Sequence, residues 1–268
     1  MVRRSRNALL SLPFYLWLAL GLIGPIAIIV VTSFLTRSPF GQVEWTFTLD
    51  AYRTLFDYLY LNLFMRSLGL AAGNTALTIA IAYPVAYYLT KLSPTKRTWL
   101  LTLILIPFWT SFLVRVLGFM EFLRLEPLGI KLLYTYFGVL LSMCCNYLPF
   151  ALLPLYAEVS KIPRSVIEAA QDLGATRWQI FTRVFLPLSK RGLIVASMLV
   201  FIPSLGEFLI PDLVGGGRVY GLGSFLQNQF LSARNWPLGS ATLSLMLIIT
   251  FIAAKFFLNH ESENEAMR

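Results

Sequence analysis

The chain has 268 residues, of which 57% are hydrophobic and only 13% charged, and its mean hydropathy is +0.70. A soluble domain carries about 25% charged residues, so this composition excludes a single soluble core and makes the bilayer the expected solvent. The net charge of +9 reads as basic residues flanking membrane segments, not as a nucleic-acid surface.

A crossing needs about 20 apolar residues, and six runs reach that length: 12–34, 67–89, 99–121, 136–157, 192–214 and 239–258. Residues 1–11 are basic. The run that follows, 12–34, is longer than a signal core of about 7–15 residues, and no small-x-small cleavage site follows it. It is expected to be a retained first span. Residues 35–66 read as an outer loop. Its Trp45, Phe47, Tyr52, Phe56, Tyr58 and Tyr60 suit the lipid–water boundary, and a short interfacial helix is expected there. Residues 67–258 would form a five-helix core. Within it, 90–98 is a tight inner turn and the third run carries Arg115. Cys144 and Cys145, in the fourth run, read as small packing residues. Asn74 and Asn146 are expected to hydrogen-bond between helices. Residues 158–191 form a long inner loop, and 215–238 an outer one containing Gly215, Gly216 and Gly217. The tail, 259–268, holds the only histidine, His260.

Lysine and arginine set the orientation. Arg3, Arg4, Arg6, Lys91, Lys96, Arg97, Lys161, Arg164, Arg177, Arg183, Lys190, Arg191, Lys255 and Arg268 all fall on one side if both termini lie inside. That is 14 of the 22 basic residues, the bias expected of cytoplasmic segments.

Motifs for chemistry are missing from the sequence. There is no G-x-x-x-x-G-K-[ST] phosphate loop, no G-x-S-x-G and no H-E-x-x-H. No catalytic residue, metal site or cofactor is expected.

The inner loop is the most informative stretch. Pro163 suits the first turn of a helix. After it, Val166, Ala169, Ala170 and Leu173 recur at helical spacing as one apolar stripe, with Glu168 and Asp172 on a neighbouring face. Gly174 then permits the positive φ of a helix C-terminus. Phe181, Val184, Phe185 and Leu188 resume the helical period, and Pro187 interrupts the chain before the fifth run. A helix, a glycine corner and a second helix result. By pattern alone this is either an amphipathic segment lying on the membrane or a lever gripped by a soluble partner.

The stretch resembles the E-A-A loop of binding-protein-dependent ABC importer permeases. Glu168, Ala169, Ala170, Gly174, Val184, Leu186 and Pro187 stand at the seven pattern positions, with Val184 replacing the commoner Ile. Further stretches resemble the permeases of spermidine/putrescine importers. They are FMRSLGLAAGNTALTIAIAYPVAYYL from Phe64, FWTSFLVR from Phe108, NYLPFALLPLYAEV from Asn146 and SLGEFLIPDLVGGG from Ser204. The chain departs from that family after Arg115, where the family has a longer outer connection. The resemblance implies an all-α polytopic membrane protein of six transmembrane helices with the type I importer permease (MetI-like) fold. It also implies a bacterial inner membrane and a second, non-identical permease subunit. Two cytoplasmic ATP-binding subunits would grip the loop, and an extracytoplasmic binding protein would deliver cargo. The chain itself would hydrolyse nothing.

The cargo is approached through charges within the spans, which cost about 2.5–3.5 kcal/mol on insertion scales and tend to face a cavity or a partner. Glu207 lies about 15 residues into the fifth run, roughly 22 Å at helical rise, and Asp212 lies beyond it. With Trp109, Tyr147 and Phe208 nearby they would attract a polyamine cation. Alternatively Glu207 pairs with Arg115 as a structural link. An importer for iron, thiosulfate or sulfate, or a membrane enzyme acting on lipid, are the other readings; the shortage of histidine speaks against the enzyme.

Overall fold

The protein is described by a computed structural model covering residues 17–126 and 129–265, with side chains to Lys255. The expected cytoplasmic N-terminus, the start of the first span, the side chain of His260 and the last residues lie outside that description. The chain divides into two compact units. One comprises residues up to Leu61 together with Phe225–Thr250, and the other comprises Asn62–Ser224 and residues from Phe251 onward.

In the first unit, α1 (Ala19–Thr32) is apolar on every side and buries none of its residues, as a helix facing lipid does. Thr32 at its end donates to Ser240 Oγ (2.7 Å). The chain then forms an antiparallel hairpin, β1 (Leu35–Arg37) with β2 (Val43–Phe47), pairing Leu35 with Phe47 and Arg37 with Val43. Phe34 stacks on Phe47 at 5.5 Å and leans on Tyr52 at 5.2 Å. Helix α2 (Asp50–Leu55) is the expected short helix. The expected outer loop is therefore corrected in two respects. It contains a hairpin, and its last nine residues already belong to α3 (Tyr58–Lys91). The sequence Val43-Glu44-Trp45-Thr46-Phe47 alternates branched and aromatic with polar residues, the strand period.

The second unit holds most of α3, then α4 (Pro94–Trp109), α5 (Phe112–Arg124), α6 (Tyr136–Val159), α7 (Arg164–Asp172), α8 (Arg177–Leu188), α9 (Lys190–Leu205) and α10 (Leu209–Gly215). α11 (Leu222–Gln227) begins here and α12 (Trp236–Glu265) closes the chain. Ser93 precedes Pro94, so α4 starts with the residue whose missing N–H has no helical partner to lose. Thr135 Oγ1 accepts from Gly138 N (3.0 Å) and caps α6. Val139, Met143, Leu152 and Leu155 of α6 form the buried centre with Val116 and Leu123 of α5, Val200 of α9, and Ile210 and Val214 of α10. Asn74 donates to Ser204 Oγ across the α3–α9 contact at 2.8 Å, as expected. Asn146 instead donates within α6, to Ser142 O (2.9 Å). It was expected to join two helices, but its amide nitrogen finds a carbonyl four positions back on its own helix, and its buried Oδ1 has no partner among the described residues.

The third expected span, 99–121, is bent: α4 and α5 meet at 102°. α8 and α9 meet at 72° at the end of the expected inner loop, just before the fifth run. Among the described residues α3, α6 and Trp236–Lys255 are long and apolar enough to cross a membrane singly. The bent pairs raise this to five if each is one crossing.

Candidate functional site

Two places draw the predicted residues together: the corner between α7 and α8, and the turn between α9 and α10.

At the corner, α7 ends in a Schellman arrangement. Gly174 N donates to Gln171 O (2.8 Å) and Ala175 N to Ala170 O (3.0 Å), with Gly174 at φ +78°. Thr176 then opens α8 with a reciprocal cap. Its Oγ1 accepts from Gln179 N (3.3 Å) while its own N–H donates to Gln179 Oε1 (2.8 Å). The backbone of the corner is thus fixed by local backbone and capping bonds, with Ala175 packed against the core beside them. Its burial differs from the expected stripe. Ile167 and Ala170 face the core, whereas Val166, Ala169 and Leu173 are exposed. Leu173 is 88% and Trp178 71% exposed, one on each side of Gly174. Glu168 lines a cavity of about 350 Å³ with Lys91, Arg164 and Gln171.

Helix α8 carries the corner to the body. Its last turns widen into a π-helical segment, Phe181–Phe185, ahead of Leu186 and Pro187. Phe185 is buried, Phe181 and Val184 are half-buried, and Leu186 and Pro187 are exposed. Phe181 packs edge-on to Tyr83 (5.3 Å) and Phe185 to Tyr87 (4.6 Å). Tyr83 Oη and Ser189 Oγ share a hydrogen bond of 2.6 Å. Packed rings and one buried hydroxyl pair thus connect α8 to α3 and to the start of α9.

At the second place the fifth run is broken. α9 stops at Leu205, so Glu207 lies on an unwound turn rather than within a continuous helix, and the 22 Å depth does not hold. Glu207 Oε2 accepts from Tyr147 Oη (2.7 Å), and its Oε1 accepts from Leu209 N (3.0 Å) and Ile210 N (3.3 Å). It is half-buried. Tyr147 and Glu207 are therefore brought together. Asp212 accepts from Ser224 Oγ (2.5 Å), and Phe208 is partly exposed. Arg115 does not pair with Glu207. It donates to Pro107 O (3.2 Å), with its guanidinium 4.1 Å from the Phe108 ring centre. The bend between α4 and α5 folds the arginine back onto its own connection. Trp109, at that bend, is 91% exposed, and no recorded contact joins it to Glu207.

One residue at this turn escaped the sequence reading. A Cβ on Gly223 would sit 2.5 Å from the carbonyl oxygens of both Gly206 and Glu207, so α11 starts against bare backbone. Gly223→Ala is expected to push the turn aside and destabilise the folded protein by about 1–3 kcal/mol. A melting curve of the detergent-solubilised protein checks this, and an unchanged midpoint contradicts the close approach.

Residues 2–259 match the family described as binding-protein-dependent transport system inner membrane component. The spermidine/putrescine transport system permease protein PotB of Escherichia coli (strain K12) is 36% identical, over 93% of this chain and 98% of that protein. PotB of Haemophilus influenzae is 34% identical, over 93% and 94%. Among solved structures, a bacterial alginate ABC transporter in complex with an alginate pentasaccharide-bound periplasmic protein contains a similar chain. Its TM-score is 0.72 at 18% identity, covering 98% of this chain and 95% of that one. The MetNI methionine ABC transporter, in an inward-facing conformation, gives a TM-score of 0.57 at 20% identity over 74% and 93%. At these identities the two structures speak for the fold alone. A corner built by capping bonds, an interrupted fifth run and a family match along nearly the whole length agree: the chain belongs to the binding-protein-dependent transport system inner membrane components, and is a multi-pass permease subunit of an ABC importer of the bacterial inner membrane.

Proposed function

We propose that this permease moves a polyamine, spermidine or putrescine, delivered by an extracytoplasmic binding protein and driven by two cytoplasmic ATP-binding subunits. A second, non-identical permease completes the pathway. Both termini lie in the cytoplasm. The six crossings are those read from the sequence, with 1–11 and 259–268 as cytoplasmic ends, 35–66 outside, 67–258 as the core and 158–191 as the coupling loop.

One observation carries the cargo assignment: Glu207 presents a carboxylate on an unwound turn and is bonded to Tyr147 rather than cancelled by Arg115. An ammonium group is held by a carboxylate and rests on aromatic faces. The likeness to PotB supports the same cargo.

The coupling loop acts mechanically. Glu168, Ala169, Ala170 and Gly174 form the gripped corner, and exposed Leu173 and Trp178 offer the ATPase an apolar contact. Val184, Leu186 and Pro187 join the corner to the spans. Closure of the ATPase pair shifts the permease only through contacts that differ between the two ATPase states. Proteoliposomes containing both permeases and the ATPases test the whole reading. With the loaded binding protein outside, radiolabelled spermidine should accumulate only when ATP is supplied to the ATPase side. Accumulation without ATP, or ATP-driven uptake of sulfate in its place, refutes it.

A further inference from the structure

The joint between the inner loop and the fifth run is built on weakened backbone and closed by side chains. α8 and α9 meet at 72° across Ser189. Pro187 has no N–H, so the carbonyl of Arg183 lacks the donor an unbroken α-helix would give it. The turn before it is already widened into the π-helical segment. On the facing helix, Tyr83 stands one residue before Pro84, which removes a donor from α3 in the same way. Two proline-weakened points thus lie side by side.

One chain of hydroxyls ties them. Ser189 is fully buried and Tyr83 nearly so. Ser189 Oγ donates to Phe185 O (2.6 Å), which also accepts from Ser189 N (2.9 Å). A hydroxyl has one proton to give. In the 2.6 Å contact between the two side chains, Tyr83 Oη is therefore the donor and Ser189 Oγ the acceptor. A serine bonded to the carbonyl four residues back bends its helix, and here that bond spans the bend itself. Beyond the joint, α9 is seated closely on α6. A Cβ on Gly192 would lie 2.9 Å from Glu158 Cβ and 3.0 Å from Pro154 O. The bend thus separates a firmly seated helix start from the corner.

We propose that Tyr83 and Ser189 are positioning residues for transport. Their hydroxyl chain holds the angle between α8 and α9, so that movement of the corner is delivered to the fifth run and not absorbed at Ser189. The inference rests on the reading of the corner as the part the ATPase subunits move. Tyr83 also packs edge-on to Phe181, but apolar contact is non-directional, whereas a hydrogen bond weakens steeply away from its preferred angle. The chain is the directional part of the joint. Coupling between separated sites needs an element with two arrangements, and a bend closed by one removable bond is such an element.

The test uses proteoliposomes of the complete importer, with both permeases, the ATPase subunits and spermidine-loaded binding protein. Tyr83→Phe removes one oxygen and leaves the ring against Phe181. ATP hydrolysed per spermidine imported should rise about fivefold, the factor that one hydrogen bond of ordinary net strength represents. Hydrolysis without binding protein or cargo should rise by a similar factor, because the ATPase pair then closes without moving the spans. Ser189→Ala should do at least as much. The double variant should do no more than Ser189→Ala, since both changes break one chain. Should Ser189→Ala fail to assemble, Tyr83→Phe carries the comparison. Tyr88→Phe, on an exposed side of α3, should leave both quantities at the wild-type value. A merely structural role would lower the melting midpoint and leave ATP per spermidine unchanged; that result in Tyr83→Phe overturns the proposal, and so does an equal shift in Tyr88→Phe. Hydrolysis without cargo decides the matter even if the wild type imports no spermidine, an outcome that removes the polyamine reading alone. Should Gly174→Val stay coupled, the corner reading fails and the joint with it. Should it uncouple while Tyr83→Phe does not, the joint alone fails.

Discussion

Gly174→Val is expected to uncouple the importer: ATP hydrolysis persists while polyamine uptake falls by tenfold or more, with the permease still in the membrane. The reason is local. Gly174 sits at φ +78°, and nothing lies within 4 Å of where its Cβ would be, so the obstacle is conformational and not steric crowding from neighbours. A left-handed residue with a side chain costs about 1–2 kcal/mol, and a β-branched residue is the least suited to it. The Schellman bonds from Gly174 and Ala175 hold only if that conformation is kept. With valine the corner opens, and Leu173 and Trp178 no longer face a partner in their fixed relation. Gly174→Asn separates this account from a general intolerance at the position, because asparagine visits the left-handed region; it should retain most coupled uptake. Equal uptake in the valine variant and the wild type would remove the corner from the mechanism. Equal loss in both variants would show that something other than backbone conformation matters there.

The corner was legible because its signals are local. Pro163 and Gly174 each specify backbone geometry within four residues, and they stand at the two ends of α7; the Thr176–Gln179 cap is as local but was not read from the sequence. The side of α7 that is buried was not legible. Val166, Ala169 and Leu173 share the period with Ala170, and periodicity alone does not say whether the protein's own core or a partner covers them. Bends were missed for a different reason. Hydropathy averaged over a window records how apolar a segment is, not where it points. Pro107 before the α4–α5 bend, and Pro203 with Gly206 before the α9–α10 break, were the available marks. Their effect on Arg115 and Glu207 was decisive. The bend turned Arg115 onto Phe108 and Pro107 O, and the break set Glu207 free of any helical register. Gly223 carries no such local mark. Its requirement comes from carbonyls 16 and 17 residues away in sequence, and a single chain read along its length contains no trace of that approach.

Glu207→Gln is the variant that separates charge from architecture at the broken span. Glutamine keeps the length and an acceptor oxygen, so the N–H groups of Leu209 and Ile210 stay satisfied, while its amide can donate to Tyr147 Oη. The turn should hold, and the melting midpoint and recovery of the assembled complex should match the wild type. Only the negative charge is lost. A hydrogen bond or ion contact to a charged group contributes about 1.5–3 kcal/mol, so spermidine uptake at limiting concentration should drop roughly ten- to hundredfold. Glu207→Ala removes both functions. It leaves two backbone donors of α10 and the Tyr147 hydroxyl without an acceptor, at about 1–3 kcal/mol for each buried group, and should lower the yield of folded complex as well as uptake. The two variants together distinguish the cases. Loss of uptake in both, with loss of fold in alanine only, identifies Glu207 as a contact for the cation. Full uptake in the glutamine variant, with an unfolded alanine variant, would reduce Glu207 to a cap that holds α10 against α6, and the polyamine would then have to be recognised elsewhere along the pathway.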